Sequence, residues 1–163
     1  MKKVIFIPLL LLSTFCFSQM IQMQINGLTG NGDMIPIYSF SWGASNPVTV
    51  GSGSIGVGKV SISSFNLMKQ QDAATIKMIE AIATGKHFTE ATVTVMNDKG
   101  QPSFRYTMKD VLIESIQHSH SDCGNKKCDN ITESVSLACA RWKWEDLATG
   151  KSFEYNVATN SAQ

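Results

Sequence analysis

The stretch that decides the fold is ESVSLACARWKWE, residues 133–145, in which apolar side chains recur at every second position. Val135, Leu137 and Cys139 fall on one parity and are separated by small or polar residues. Strict alternation over this length is the pattern of a β-strand with one face against a core. We therefore predict a central strand here and a mainly β protein built around it.

The second half of this strand has the opposite parity. Trp142 and Trp144 cannot point to the same side of a regular strand as the apolar residues that precede them. A β-bulge adds one residue to a strand, bends it and increases its twist. We expect a bulge near Ala140 and Arg141, which curls the sheet toward a barrel.

The N-terminus has the pattern of a secretory signal peptide. Two lysines precede an apolar run over residues 4–12, and Ser18 supplies a small residue for cleavage. The run is too short to span a bilayer of about 30 Å. We predict a signal peptide over residues 1–18 and one mature domain over residues 19–163, with a translation start at Met20 as the alternative.

Length and charge limit the function classes. Without the signal peptide the 163-residue chain keeps 145 residues, enough for one domain with its own core. Losing Lys2 and Lys3 leaves 12 basic residues against 13 acidic ones. This balance predicts no nucleic-acid partner and, after signal cleavage, no membrane association.

Periodicity along the mature chain indicates strands almost throughout. Residues 97–100 have the composition of a hairpin turn, and residues 158–163 are expected to fray. The predicted strands cover residues 21–25, 35–44, 59–69, 88–96, the segment 104–116 as one strand or two, 133–145 and 152–157.

One helix is predicted, over residues 72–84. Asp72 is suited to be its N-cap, and Gly85 can adopt the left-handed conformation that ends a helix. Its buried stripe is predicted to comprise Ile76, Ile79 and Ala83 with Ile82 beside them, while Lys77 and Glu80 face outward.

Residues 45–58 combine four glycines with apolar β-forming residues. The glycines make the backbone permissive, so this segment is an extended loop or a protruding hairpin. Apolar side chains on such an excursion favour a contact surface over an ordinary surface loop. The residues predicted to make the contact are Val48, Val50, Ile55 and Val57.

No motif indicates an enzyme or a cofactor. His87 has no acid–base partner fixed nearby by sequence, and Ser134 and Ser136 lie inside a strand instead of at a nucleophile elbow. The glycines of residues 51–58 lack the Lys-Ser/Thr ending and the helix that follow a phosphate-binding loop. We therefore predict no catalytic site.

A polar loop before the central strand contains the remaining candidate site. Cys123 and Cys128 can form a disulfide, the simplest interpretation in an exported chain. Zinc held by His118, His120 and the two cysteines is the alternative, although this spacing is looser than in structural zinc motifs. Free thiols remain a third possibility. Cys139 is predicted to be a small core residue.

Several motifs, taken together, resemble the haemolysin-coregulated protein (Hcp) family, the tube-forming component of type VI secretion. They occur in the family order and span nearly the whole mature chain. They are SFSWG at residues 39–43, Lys69 with Asp72, ATGKH at residues 83–87, DVLI at residues 110–113 with Ser115, and ESVSL at residues 133–137 followed by Trp144 and Glu145.

The resemblance implies a two-sheet antiparallel β-barrel with one flanking α-helix. It also implies a homo-oligomer, a ring of six copies that stacks into a hollow tube, with the arm at residues 45–58 making contacts between rings. Spike and sheath proteins of the secretion machine, and effector cargo in the lumen, are the implied partners. The predicted signal peptide and the insertion at residues 123–128 depart from the family pattern and indicate a protein that is exported, either periplasmic or secreted.

Two other functions are open at this point. One is an exported, non-enzymatic binding module that uses the arm or the cysteine loop to engage a protein or a glycan. The other is a periplasmic metal-binding protein centred on the two histidines and two cysteines of the polar loop.

Overall fold

The computed structural model describes residues 20–28, 33–51, 54–120 and 131–162. The predicted signal peptide, residues 1–18, and both Cys123 and Cys128 lie outside the described residues. The strands are β1 Ile21–Ile25, β2 Ile35–Ile37, β3 Ser39–Ser41, β4 Ala44–Ser45, β5 Val48–Gly51, β6 Ser54–Val57, β7 Ser61–Ile62, β8 Phe65–Gln70, β9 His87–Met96, β10 Pro102–Ser119, β11 Thr132–Asp146, β12 Lys151–Asn156 and β13 Ser161–Ala162, with helix α1 at Ala74–Thr84.

The main sheet has the order β13-β12-β11-β10-β9-β1-β2, and β8 pairs with both β11 and β3. The predicted strand over residues 35–44 is bent at Tyr38, so that β2 pairs with β1 while β3 pairs with β8. The Tyr38 amide donates a hydrogen bond of 2.8 Å to the carbonyl of Met68. Strand pairing therefore runs from β11 through β10, β9 and β1 to β2, and the bent segment continues it from β3 through β8 back to β11. The predicted mainly β antiparallel fold with one flanking helix is confirmed for the described residues.

The face that each strand turns to the core changes along a line across β9, β10 and β11. Consecutive buried residues on each strand are separated there by an odd number of positions, which reverses the parity. The pairs are Phe88 and Ala91 on β9, Met108 and Val111 on β10, and Leu137 and Trp142 on β11.

The predicted bulge near Ala140 and Arg141 is wrong, although the parity changes where it was expected. The register between β10 and β11 shifts only between Ile113 and Ser115. A bulge is needed when one strand reverses its face and its neighbour does not. Here three neighbouring strands reverse together, and Asp110 has a φ of 56°, a left-handed conformation that interrupts the pleat.

The core lies on the inner face of the bent nine-stranded sheet and beneath α1. Trp142 is almost fully buried, and its ring contacts Trp42 and Phe65 at centroid distances of 5.9 Å. The other fully buried large residues include Met23, Ile25, Leu67, Met78, Val93, Met108, Val111, Val135 and Leu137.

The predicted buried face of α1 is wrong. Ile76 is 69% exposed and Ile79 is 39% exposed. The buried residues are instead Ala74, Thr75, Met78 and Ala81. Two small residues on this stripe let the helix approach the sheet closely, and a hydrogen bond from Thr75 to β11 fixes the rotation of the helix.

The prediction of Asp72 as the N-cap of α1 is wrong, because the N-cap is Ala73 and it makes no side-chain capping hydrogen bond, whereas the predicted C-terminal role of Gly85 is confirmed. The Asp72 carboxylate accepts a hydrogen bond of 2.9 Å from the amide of Ala74, one of the free donors at a helix start. Gly85 ends the helix with φ of 63°, in the left-handed region. The predicted Asp72–Thr84 helix thus begins two residues later, at Ala74.

Two other expectations are resolved. Residues 104–116 belong to a single strand, β10. The C-terminal residues were expected to fray, but β13 pairs with β12 through Tyr155 opposite Ala162. Among the described residues no helix has the length and apolarity needed to cross a membrane.

Candidate functional site

The predicted contact arm contains a β-hairpin. β5 and β6 pair with each other in a separate two-stranded sheet. Val48 lies opposite Val57, and Val50 lies opposite Ile55. The side chain of Val48 is 57% exposed. The hairpin alternative of the sequence analysis is therefore correct, and the role of these residues in contacts between copies stays a prediction.

The base of this hairpin is tightly held. Gly58 donates a backbone hydrogen bond of 2.9 Å to the carbonyl of Pro47. A Cβ at Gly58 would lie 2.7 Å from Cγ of Pro47, so this close approach requires glycine. Below it, β4 pairs with β7, and the Gly43 amide donates a 2.8 Å hydrogen bond to Oγ of Ser63.

A buried ion-pair network joins the start of α1 to the sheet. Lys69 and Glu133 have no exposed surface, and Nζ of Lys69 lies 2.8 Å from Oε2 of Glu133. The same Nζ donates to Oδ1 of Asp72 at 2.9 Å and to the carbonyl of Gln70 at 2.8 Å. Thr75 donates its hydroxyl to Oε1 of Glu133 at 2.8 Å. Because each charge is compensated, the network is structural: it anchors the helix to β8 and β11.

The histidines do not converge on a described metal site. Nε2 of His118 lies 3.2 Å from Oε1 of Glu133, at the exposed edge of the buried network. His120 is exposed at the last described position before the cysteine loop. The described residues contain no group of three or more His, Cys, Asp or Glu side chains able to hold a metal ion. The disulfide and the zinc alternative both involve Cys123 and Cys128, and both stay predictions.

Cys139 packs partly buried against the core, in line with its predicted place on a core-facing parity. Burial raises the pKa of its thiol from 9.0 to about 12, which the backbone hydrogen bond of Arg141 opposes and the charge of Asp110 reinforces. The thiol is therefore protonated at neutral pH, and a protonated thiol is a poor nucleophile.

An apolar pocket of about 340 Å³ opens where β10 begins and β11 ends. Its walls are aromatic. The ring of Trp144 lies 5.7 Å from that of Phe153 in a stacked arrangement and 5.2 Å from that of Trp42. Phe104 and Phe153 are 47% and 52% exposed. A concave site with exposed aromatic walls has the character of a binding site.

Trp144 also carries an unsatisfied polar atom. Across the part of the chain that the structure describes, its Nε1 is the one buried side-chain nitrogen or oxygen without a hydrogen-bond partner. Leaving a buried donor unpaired costs about 1–3 kcal/mol. Unsatisfied buried groups of this kind are rare in folded proteins.

Charged groups at the pocket rim largely neutralise one another. Glu145 lies 2.9 Å from Nζ of Lys143 and 3.9 Å from Nη1 of Arg105. Asp146 accepts hydrogen bonds from the hydroxyl and amide of Thr149 and from the amide of Ala148. The hydroxyl of Thr149 is the main cause of a lowered pKa for Asp146. The rim is therefore polar but close to neutral.

This pocket was not predicted from the sequence. Phe104, Trp144 and Phe153 are distant in sequence, and each fits an ordinary strand pattern. The signal in the sequence was the presence of aromatic residues on three successive strands. In the structure Tyr106 lies opposite Trp144, and Trp144 lies opposite Phe153. Aromatic residues opposite one another on three neighbouring strands make a continuous aromatic surface.

Comparisons with known proteins agree with the fold. The protein hcp1 of Pseudomonas aeruginosa is 30% identical over 86 residues, which cover 51% of this chain and 51% of that protein. The alignment thus spans about half the length of this relative.

Solved structures match over most of the chain. A structure described as a type six secretion system protein has a TM-score of 0.76 at 21% identity and covers 90% of this chain and 100% of its own. Hcp1 from Salmonella typhimurium has a TM-score of 0.73 at 22% identity, covering 89% and 99%. Hcp1 from Flavobacterium johnsoniae has a TM-score of 0.60 at 10% identity, covering 83% and 98%. At these identities the likeness concerns the fold alone.

The motif order, the strand topology and a family match over residues 23–145 agree with one another. That match covers most of the chain and includes the hairpin arm, the ion-pair network and all but the last part of the aromatic pocket. The chain therefore belongs to the family described as type VI secretion system effector, Hcp.

Proposed function

We propose that this protein is a structural, non-enzymatic subunit that assembles into a ring of six copies, and that the rings stack into a tube. The observation that carries the proposal is the β5–β6 hairpin. Its two strands pair with each other in a separate sheet, and it displays an exposed valine, Val48. In a member of the Hcp family, an apolar hairpin on a rigid base is suited to contact the next ring.

Contacts within one ring are the second part of the proposal. The exposed Ile76 and Ile79 form an apolar face on α1 that packing within one copy does not use. A face that meets a different surface on the neighbouring copy is heterologous, and repeating such a contact by rotation produces a closed ring.

The proposal extends to location and partners. Residues 1–18 direct export through the general secretory pathway, and the mature protein begins at Gln19 in the periplasm or outside the cell. Spike and sheath proteins, and effector cargo in the lumen, are the partners of such a tube. The intact mass of protein from its native host measures the cleavage directly, and a mass that includes residues 1–18 contradicts export.

Removing the arm tests the stacking. Pro47 and Gly58 are already joined by a hydrogen bond, so residues 48–57 can be replaced by Asn-Gly, which closes a two-residue turn. We expect this variant to form rings that no longer stack, because the contact within a ring does not involve the arm. Sedimentation velocity measures the ring, and negative-stain electron microscopy measures the stacking.

The matched control is Met34→Asp, which places a charge on an exposed apolar residue outside the arm. It should leave stacking intact. Tubes that persist in the arm-deletion variant contradict the stacking role. A parent protein that stays monomeric at high micromolar concentration contradicts the ring itself.

A further inference from the structure

We propose that the aromatic pocket binds a neutral saccharide. The pocket is the concave surface between Trp42, Phe104, Tyr106, Trp144 and Phe153, and its rim carries Arg105, Glu145, Asp146, Lys151 and Ser152. The proposed contacts between copies lie on the β5–β6 hairpin and on α1, so this proposal stands apart from the tube function.

The walls fit the apolar face of a sugar ring. Trp144 and Phe153 are stacked with 23° between their planes, and Phe153 is 52% exposed, so its ring face is open to a ligand. A pyranose presents C–H bonds on one face, and their partial positive charge is attracted by the negative face of an aromatic ring. The volume of about 340 Å³ lies in the range of small-ligand sites.

The polar rim distinguishes a sugar from a hydrocarbon. Arg105, Lys151 and Ser152 bring side-chain hydrogen-bond donors to the edge of the pocket. A sugar hydroxyl accepts such a hydrogen bond, whereas an acyl chain has no acceptor along its length. The occupant therefore combines an apolar face with hydroxyl oxygens at its edge.

The rim indicates that the ligand is uncharged. Arg105 and Lys151 are balanced by Glu145 and Asp146 among the residues that line the pocket. Glu145 is already engaged with Lys143, and Asp146 with the turn that follows it. An anionic or cationic ligand gains little from such a rim, whereas hydroxyl groups can hydrogen-bond to side chains of either sign.

Intrinsic tryptophan fluorescence tests the proposal on the purified full chain. The sequence has three tryptophans, and two of them, Trp42 and Trp144, line the pocket. Cellotriose and chitotriose are the neutral probes, and trigalacturonate is the anionic comparison. We expect a saturable change with at least one neutral probe, with Kd between about 10 µM and 10 mM because a small ligand on an open site gains little free energy per atom.

Single-residue variants test whether the saccharide binds in the aromatic pocket. Phe153→Ala removes an exposed wall of the pocket and should weaken binding by about tenfold or more. Trp144→Phe keeps an aromatic ring with a smaller face, and should weaken binding less than Phe153→Ala does. The matched control is Met68→Ala, an exposed apolar residue on β8 that does not line the pocket, which should bind as the parent does.

The proposal is overturned if neither neutral trisaccharide gives a saturable fluorescence change, or if Phe153→Ala binds as tightly as the parent does. It is also overturned if N-acetyl-tryptophanamide, a probe for peptide side chains, binds more tightly than both sugars. Loss of the assembly in sedimentation of Phe153→Ala overturns it too, because a second copy of the chain is then the occupant. A failed ring with retained sugar binding contradicts only the proposed tube function, so the two failures are distinguishable.

Discussion

The long pair of β10 and β11 has a closed polar arrangement at one end and an open aromatic one at the other. At the first end, Lys69 and Glu133 are fully buried and compensate each other's charge. At the second, Trp144 has an unpartnered Nε1 beside the half-exposed ring of Phe153. The same two strands therefore stabilise the fold at one end and offer a surface at the other.

This difference shows that fully buried polar groups contribute to the stability of the fold, whereas exposed groups are available for binding. A buried charge is tolerated only when its partners are complete, so the closed end cannot change without loss of the fold. The open end gives up some stability at its unpaired donor, and its exposed aromatic rings form a surface that is not used by packing within the chain. The four predictions that follow probe this contrast along β10 and β11.

The largest effect is expected at the closed end. Lys69→Met removes the fully buried cation that pairs with the carboxylate of Glu133, and should lower the free energy of unfolding by about 3–5 kcal/mol. Urea denaturation measures the change. The double variant Lys69→Met/Glu133→Leu should recover much of the loss, since no buried charge remains.

Lys143→Met is the control for the loss of a lysine. Lys143 pairs with Glu145, but its side chain is 36% exposed, so its removal should cost less than about 1 kcal/mol. Equal losses for Lys69→Met and Lys143→Met contradict a structural role of the buried network.

At the open end, two neighbouring tryptophans should differ. Trp142 is 2% exposed, and Trp142→Ala should cost about 3–5 kcal/mol because it leaves a cavity in the core. Trp144→Phe removes the unpartnered donor together with some apolar surface, and should change the free energy of unfolding by less than about 1.5 kcal/mol. A Trp144→Phe variant that is destabilised as strongly as Trp142→Ala makes Trp144 a core residue.

Between the two ends, Asp110 marks the line where the strands reverse their faces. Its φ of 56° is accessible to asparagine but strained for a β-branched residue. Asp110→Val should therefore be about 1–2 kcal/mol less stable than Asp110→Asn. Both variants lose the ion pair with Arg141, and the hydrogen bond that Asp110→Asn can still accept from Arg141 is solvent-exposed and adds little to the difference. Equal stabilities in thermal or urea denaturation contradict the role of this conformation.

The last effect is expected at Cys139, next to that line; it is absent at neutral pH, where the thiol is protonated in both states, and develops only above pH 9. Burial raises the pKa of the thiol in the folded state from 9.0 to about 12. A raised pKa means that the folded state holds the proton more tightly than the unfolded state. The resulting stability is complete below pH 9 and is lost as the pH rises toward 12.

The Cys139→Ala variant has no thiol to titrate, so its stability does not depend on this pKa. Above pH 9 the parent should lose more of its free energy of unfolding than this variant, as measured by denaturant titrations on both sides of that pH. Parallel pH profiles for the two proteins show that the thiol is exposed to water in solution.

Local pattern was sufficient for most strands and for the turns between them. β1 and β9 follow directly from alternation, because one face of each lies against the core. The turn after β9 follows from its residues: Asn97 accepts backbone hydrogen bonds, and Gly100 has φ of 72°. These features depend on interactions between residues close in sequence.

The burial of α1 required tertiary contacts. Two stripes were available on this helix, one of isoleucines and one with alanines, and hydrophobicity alone favours the first. The second is buried because Thr75 must reach Glu133, which lies 58 residues away in sequence. Periodicity in the sequence indicates which face of a helix is apolar, but it does not indicate which residues of the sheet that face contacts.

The chain's order of motifs determined its family, its mainly β class and the position of its hairpin arm. The aromatic pocket was decided only by the tertiary structure. It exists because strand register aligns Tyr106, Trp144 and Phe153 on three strands, and because the bent β2–β3 segment leads to Trp42 beside them. Register and sheet bending arise from the packing of the whole core, so no single segment of sequence contains them.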